Sequence, residues 1–284
     1  MGYINVSKPS FSFEFFPPKT DKAADALWQA VPDLVAMNPK FMTVTYGAGG
    51  STKDGTIDTI KKKMDMTDIP IGSHLTFLNT TKEELREYVD GLWNKGVKHI
   101  VALRGDMPSD LQWPLDSDGE YFQYTSDFVE GLLEWHPFEI SVGAYPEKHP
   151  DSKSLEDDIY ALKMKCDAGA HRALTQFFFD NDVYYNFVEK CQKAGVKTIM
   201  SPGLLPVHDF KSMCGFAKRC GAEIPKWMYD KFEGLEDKPE DARKIAIDLL
   251  VSQSEDLAKN GVKHIHYYTL NKSDITKQAV EAIS

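Results

Sequence analysis

Short apolar runs rich in β-branched and aromatic residues recur along this chain at fairly even spacing. They are Phe11 to Phe15, Phe41 to Thr45, Ile71 to Leu75, His99 to Leu103, Phe138 to Ala144, Arg172 to Phe177, Thr198 to Met200 and His264 to Tyr267. Segments of helical period with polar faces lie between them, among them Asp21 to Ala36, Lys82 to Lys95, Ser126 to Trp135, Leu155 to Ala168, Asp182 to Ala194 and Pro239 to Gly261. Strands that alternate with helices require right-handed crossovers and a parallel sheet. Eight strands is the number that closes a (β/α)8 barrel. The pattern therefore predicts an α/β chain folded as a (β/α)8 TIM barrel. It also predicts an extra helical excursion from Pro206 to Lys238, between strands seven and eight, and a long loop from Met107 to Tyr124. A chain of 284 residues suits one barrel, so residues 1–284 are expected to form a single domain.

Composition narrows the function classes. The 33 basic residues are outnumbered by 43 acidic ones, giving a net charge of -10. An acidic surface argues against nucleic acid and membrane surfaces as partners, although a small anionic ligand needs only a local positive site. Cys166, Cys191, Cys214 and Cys220 show no CxxC spacing, so buried thiols in a reducing, cytoplasmic setting are expected. The N-terminus lacks the basic start and apolar core of a signal peptide, and no apolar run reaches membrane-spanning length.

The active sites of such barrels lie at the C-terminal ends of the strands. Polar groups crowd those ends here: Glu14, Thr45-Tyr46, His74, Arg104-Gly105-Asp106, Tyr145 with His149, Gln176, and Tyr268 with Asn271-Lys272. Glu14 stands among four rings in Phe11-Ser12-Phe13-Glu14-Phe15-Phe16, followed by Pro17-Pro18. Desolvation disfavours a carboxylate, so such a Glu is expected to hold a proton near neutral pH and serve as a general acid. The competing reading is an outward strand residue with Phe on the opposite face. The loop Gly47 to Gly50 lacks both the GxGxxG order and the lysine of a P-loop, although its backbone amides could meet phosphate. Asp158 and Lys165 share a helix face, where a surface role is the simpler reading. His264-Ile265-His266 reads as strand alternation with no third metal ligand nearby in sequence.

Taken together, these pieces resemble the flavin-dependent methylenetetrahydrofolate reductase family. The resemblance runs from Phe11 to about Lys272. It is carried by Phe13-Glu14-Phe15-Phe16-Pro17-Pro18, Val44-Thr45-Tyr46-Gly47-Ala48, His74-Leu75-Thr76, Leu103-Arg104-Gly105-Asp106, Ala144-Tyr145-Pro146-Glu147, Thr175-Gln176-Phe177-Phe178-Phe179-Asp180 and Tyr268-Thr269-Leu270-Asn271. Each piece is weak alone, and their joint order is specific.

The resemblance implies a barrel that holds FAD and reduces 5,10-methylenetetrahydrofolate to 5-methyltetrahydrofolate with NADH or NADPH in a ping-pong cycle. The flavin would carry the hydride chemistry while the protein orients it. Glu14 would be the general acid that helps open the folate ring, and Asp106 would contact flavin and pterin and stabilise the cationic intermediate. Thr45, Tyr46, Ala48, His74, Arg104, Gly105, Asp106, Tyr124, Thr125, Tyr145, His149, Ser152, Asp158 and Lys165 would hold the cofactors. Gln176, Phe216, Tyr268 and Lys272 would meet the substrate. Family members are homo-oligomers, and the same is implied for this chain. The eukaryotic regulatory extension has no counterpart here, so no inhibition by adenosylmethionine is expected.

The chain departs from the family pattern at several points. Lys272 stands where an Arg is usual, and a Lys cannot grip a carboxylate in a bidentate way. Ser212 stands where some relatives carry Gln. Thr125, Ser152, Ala161 and Met164 fall at flavin-contact positions that hold other residues in a bacterial branch. These departures motivate a second reading, a flavin-independent reductase of the same folate. A third is a folate-binding barrel that has lost catalysis, against which intact Glu14, Asp106 and Gln176 argue. Physiological oxidation of 5-methyltetrahydrofolate is also compatible with the residues.

Overall fold

The computed structural model describes residues 8–46, 53–107, 114 and 118–284. Its strands are β1 (Ser10–Phe15), β2 (Met42–Val44), β3 (Ile71–Thr76), β4 (His99–Leu103), β5 (Glu139–Ala144), β6 (Arg172–Thr175), β7 (Ile199–Ser201), β8 (Gly203–Leu204) and β9 (His264–Tyr268). The helices are α1 (Asp21–Val35), α2 (Lys53–Met64), α3 (Lys82–Asn94), α4 (Thr125–Trp135), α5 (Leu155–Asp167), α6 (Asn181–Lys193), α7 (Phe210–Cys220), α8 (Lys226–Phe232), α9 (Pro239–Lys259) and α10 (Asp274–Ile283). Among the described residues no helix is long and apolar enough to cross a membrane.

All strand pairings are parallel, in the order β7-β6-β5-β4-β3-β2-β1-β9-β8. The two strands at the ends of that order follow one another in the chain, with only Pro202 between them. They are two halves of one barrel strand. The first half pairs with β6 and the second with β9, so the sheet wraps into a nearly closed barrel. Proline has no N–H and cannot donate to a ladder, and the strand changes partners at that residue. The Pro202 carbonyl still accepts from His266 N at 2.9 Å. The apolar pattern ends strand seven at Met200, whereas the ladder resumes past the proline at Gly203. A side chain at Gly203 is excluded, because a Cβ there would lie 2.2 Å from Thr175 O and 2.5 Å from the Tyr268 ring. The predicted excursion before the last strand is α7 and α8.

The two-residue period of β1 sorts its side chains. Phe13 and Phe15 are fully buried on the helix side, where Lys63 Nζ of α2 sits 3.2 Å from the Phe15 ring centre. Ser10, Ser12 and Glu14 face inward. Their parallel partners on β9 are His264, His266 and Tyr268. Below Glu14 the interior is plugged by Phe41, which stacks on His264 at 5.3 Å and meets His99 edge-on at 4.6 Å, with the Arg172 guanidinium 4.7 Å from its ring centre.

Candidate active site

Glu14 lies at the end of β1, only 7% exposed. Its Oε2 is 3.2 Å from His74 Nε2 and 3.4 Å from His266 Nε2. His74 comes from β3, and its Nε2 is also 3.3 Å from Thr43 Oγ1 on β2. Four strands thus converge on one carboxylate. Burial pushes the Glu14 carboxyl up, but the imidazoles of His74 and His266 outweigh it and hold it down to about 2. This corrects the expected protonation, since the carboxyl is ionised at neutral pH, and the expected surroundings. The Phe rings flanking Glu14 in sequence lie on the other face of the strand, and imidazoles line its own. Burial holds His266 below its ordinary value. The carboxylate is thus the charged member of this set, and burial favours a neutral His266 imidazole beside it.

A second cluster occupies the ends of β4 and β5 and the face of α5. Arg104 Nη2 bonds Asp151 Oδ2 at 2.8 Å, and its Nε donates to Gly105 O at 3.2 Å. Gly105 has φ +101, a backbone state that L side chains rarely adopt. Tyr145 and His149 meet edge-on at 4.5 Å. The His149 amide donates to Asp158 Oδ2 at 2.6 Å, and the Ser152 amide donates to His149 O at 3.0 Å. Lys165 reaches in from α5 to donate to Gly143 O at 2.6 Å. Burial lowers the Lys165 amine to about 8, although Cys166 and Asp158 oppose that. The surface reading of Asp158 and Lys165 therefore gives way to an internal one, in which Asp158 fixes the loop after β5 and Lys165 brings a cation under it.

An aromatic wall closes the third side. Phe216 of α7 stacks on Phe177 at 5.3 Å, and Tyr268 meets Phe177 edge-on at 6.3 Å. The Tyr268 hydroxyl donates to Thr175 O at 2.6 Å. Gln176 follows β6, and its Oε1 accepts from the Phe177 amide at 3.1 Å.

The structure places Glu14, His74, Thr45, Arg104, Tyr145, His149, Ser152, Gln176 and Tyr268 on the C-terminal parts of the strands or the loops that follow, with Asp158 and Lys165 reaching in from α5 and Phe216 from α7. Asp106 is exposed on the loop after β4, close enough to raise the Tyr145 and Cys220 groups. Tyr46 packs on Tyr88 at 5.7 Å. Tyr124 caps α4 and is 62% exposed, and Thr125 opens that helix. Lys272 lies near His208 and Asp209 beyond β9, its amide donating to Thr269 O at 3.1 Å. Ala48 and the whole loop Gly47 to Thr52 fall outside the described residues. Sequence reasoning missed Ser12, His264 and His266 as parts of the site. Their signal was the alternation Ser-x-Ser-x-Glu against His-x-His, visible only once the two strands are known to be neighbours.

The residues present fit an FAD. Thr45 Oγ1 is buried beside Glu14's strand with no hydrogen-bond partner, an orphan of the kind a ligand satisfies. Arg104 and Lys165 offer cations for phosphate, and Gly105 leaves room where a side chain would meet Thr76 at 3.1 Å.

Known proteins bear on this arrangement. The chain is 42% identical to the 5,10-methylenetetrahydrofolate reductase of Escherichia coli (strain K12) over 97% of its length and 89% of that protein's. It is 31% identical to methylenetetrahydrofolate reductase (NADH) 1 of Zea mays, covering 93% of this chain and 46% of the plant protein. Among solved structures, an uncharacterized Clostridium thermocellum protein that binds two copies of 5-methyl-5,6,7,8-tetrahydrofolic acid shares the fold. Its TM-score is 0.65 at 14% identity, over 98% of this chain and 95% of that one. The family model described as methylenetetrahydrofolate reductase matches residues 2–284, and with the barrel and its strand-end carboxylate in place the chain belongs to that family of oxidoreductases.

Proposed function

We propose that this protein is a flavoprotein that reduces 5,10-methylenetetrahydrofolate to 5-methyltetrahydrofolate with NADH or NADPH in a ping-pong cycle. The observation that carries the reading is Glu14, buried at the strand ends with His74 and His266 on one of its oxygens. When bound, FAD would take hydride from the nicotinamide and pass it to the folate. Thr45, Arg104, Gly105, Tyr145, His149, Asp158 and Lys165 would hold it. Glu14 Oε2 delivers a proton to the folate nitrogen that departs as the five-membered ring opens, leaving an iminium carbon ready for hydride. Ligands covering the mouth strip remaining water from the floor. For Glu14 to act as the acid, bound ligands must offset the two imidazoles that hold it down to about 2 and bring it to the neutral form. Asp106, on its exposed loop, supplies negative charge to the cationic folate, and Gln176 and Phe216 flank the shared substrate site. The same reading carries a cytoplasmic homo-oligomer of single barrels, which light scattering checks.

The test is the visible spectrum of the purified protein, followed anaerobically through addition of NADH and then 5,10-methylenetetrahydrofolate. A flavin band that bleaches with NADH and returns with folate is expected. A protein that stays colourless after FAD is supplied yet turns over both substrates would favour the flavin-independent reading, which Ala161 and the part-exposed Met164 on α5 motivate.

A further inference from the structure

The side chains beneath Glu14 form a continuous line to the opposite mouth of the barrel. His266 Nδ1 is 2.7 Å from Ser12 Oγ, Ser12 Oγ is 2.8 Å from His264 Nε2, and His264 Nδ1 is 2.8 Å from Ser10 Oγ. The line arises from register. Ser10 pairs with His264 and Ser12 with His266 on adjacent parallel strands, so hydroxyl and imidazole alternate up the inner face. Ser12 and His266 are fully buried and His264 is 8% exposed. Ser10 is part-exposed at the N-terminal rim, where its single hydroxyl hydrogen can go either to His264 Nδ1 or to Lys263 O at 3.2 Å.

Elimination fixes the polarity of this line. An ionised carboxylate only accepts hydrogen bonds. His266 therefore donates from Nε2 to Glu14 and, when neutral, accepts at Nδ1 from Ser12. The Ser12 hydrogen is then committed, so Ser12 accepts from His264 Nε2. His264 in turn accepts at Nδ1 from Ser10. Burial holds both imidazoles below their ordinary values, His264 down to about 3, which agrees with neutral rings. The charged and titratable groups near them include Glu14, His74, His99, Tyr268, Arg172 and Lys40, and none lies between the links of the line.

We infer that Ser10, His264, Ser12 and His266 form a proton path that recharges Glu14 from the face of the barrel opposite the substrates. The inference rests on the proposed role of Glu14 as general acid. After Glu14 has protonated the folate it is a carboxylate beneath a covered mouth. Restoring it requires one proton. Ser10 takes a proton from solvent and gives its own to His264 Nδ1. His264 releases the Nε2 proton to Ser12, Ser12 passes its own to His266 Nδ1, and His266 gives its Nε2 proton to Glu14 Oε2. Each link gains one proton and loses one, so the net change is solvent acid to Glu14 acid. The imidazoles are left as the other tautomer and reset by reorientation. The four links position and pass protons, while Glu14 alone touches substrate.

The decisive variant is His264→Gln in the flavin-loaded enzyme. A glutamine amide can still donate to one serine and accept from the other, but it cannot hand a proton across. A structural role survives the change and a relay does not. Steady-state turnover is expected to fall tenfold or more with an enlarged solvent deuterium isotope effect, while the anaerobic rate of flavin reduction by NADH serves as the internal control. Ser12→Ala, which breaks the middle link, is expected to show the same split. Nitrogen-15 spectra of histidine-labelled, flavin-free protein are expected to show His264 and His266 as neutral Nε2–H tautomers. Wild-type turnover and isotope effect in both variants, with Glu14→Gln inactive, would overturn the path and leave the Glu14 assignment standing. Retained folate reduction in Glu14→Gln would remove both.

Discussion

Asn271 pairs with the backbone of Phe16 as a strand would. The Phe16 amide donates to Asn271 Oδ1 at 2.9 Å, and Asn271 Nδ2 donates to Phe16 O at 3.0 Å. Thr269 Oγ1 adds a bond to Glu14 O at 2.6 Å. One side-chain amide thus continues the β1–β9 ladder past the ends of both strands, with Asn271 held at φ 59. Its Leu270 neighbour is also left-handed, at φ 52. Asn271→Ala should leave two part-buried backbone groups unpaired, costing about 1–3 kcal/mol. Chemical denaturation should show that loss, and turnover should fall with it because the segment carries Glu14.

Gly203→Ala should be far more damaging. The new Cβ would strike the Thr175 carbonyl and the Tyr268 ring, one a fixed backbone oxygen and the other anchored by its hydroxyl. A loss of more than about 4 kcal/mol, in the class of severe overpacking, is expected. Soluble expression and a denaturant midpoint close to wild type would contradict it.

Glu14→Gln should lower the rate of flavin reoxidation by the folate by about 10²–10⁴-fold, the usual contribution of a general acid. Flavin reduction by NADH should be little changed. Stopped-flow measurement of each half-reaction separates the two.

Acid should destabilise the fold from near pH 6.5 downward. His264 and His266 are buried below their ordinary value of 6.5, so the unfolded chain binds protons that the folded one refuses. For His264 the loss continues until pH approaches about 3. Glu14, depressed to about 2, adds a loss of the same sign below its ordinary value of 4.5. Urea midpoints measured from pH 7 to pH 4 should therefore decline, and less steeply in His264→Gln.

If Lys165 holds a phosphate of the cofactor, FAD affinity should weaken as pH rises through about 8, where burial places the amine's proton loss. Flavin fluorescence titrations at pH 7 and 9 should show the difference. Lys165→Met should bind FAD weakly at both pH values and show little dependence.

The barrel was legible because eight β-rich runs separated by helical periods admit few other arrangements. The predicted carboxylate was found at a strand end for the same reason. What sequence could not supply was the neighbour across the ladder. His264-Ile265-His266 looks like ordinary alternation until β9 is set beside β1, when the imidazoles fall against Ser10, Ser12 and Glu14. The rings around Glu14 in sequence suggested an apolar pocket, but period two turns them away from it. The split at Pro202 was hidden because proline reads as an end rather than as a change of partner. Asp158 and Lys165 shared a helix face on spacing alone, and only the position of α5 against β5 shows that they point inward.

The pairing of β1 with β9 also has a meaning in time. Glu14 and His266 are 252 positions apart, so their meeting is among the longest-range contacts that this chain makes. Closing so long a loop is entropically slow. A ribosome releases the first of these residues long before the second exists. Any product cut short before His264 lacks His266, Asn271 and the strand that completes the sheet. The acid and its neighbours therefore assemble only once synthesis has passed Asn271, and a chain stopped before that point lacks the site.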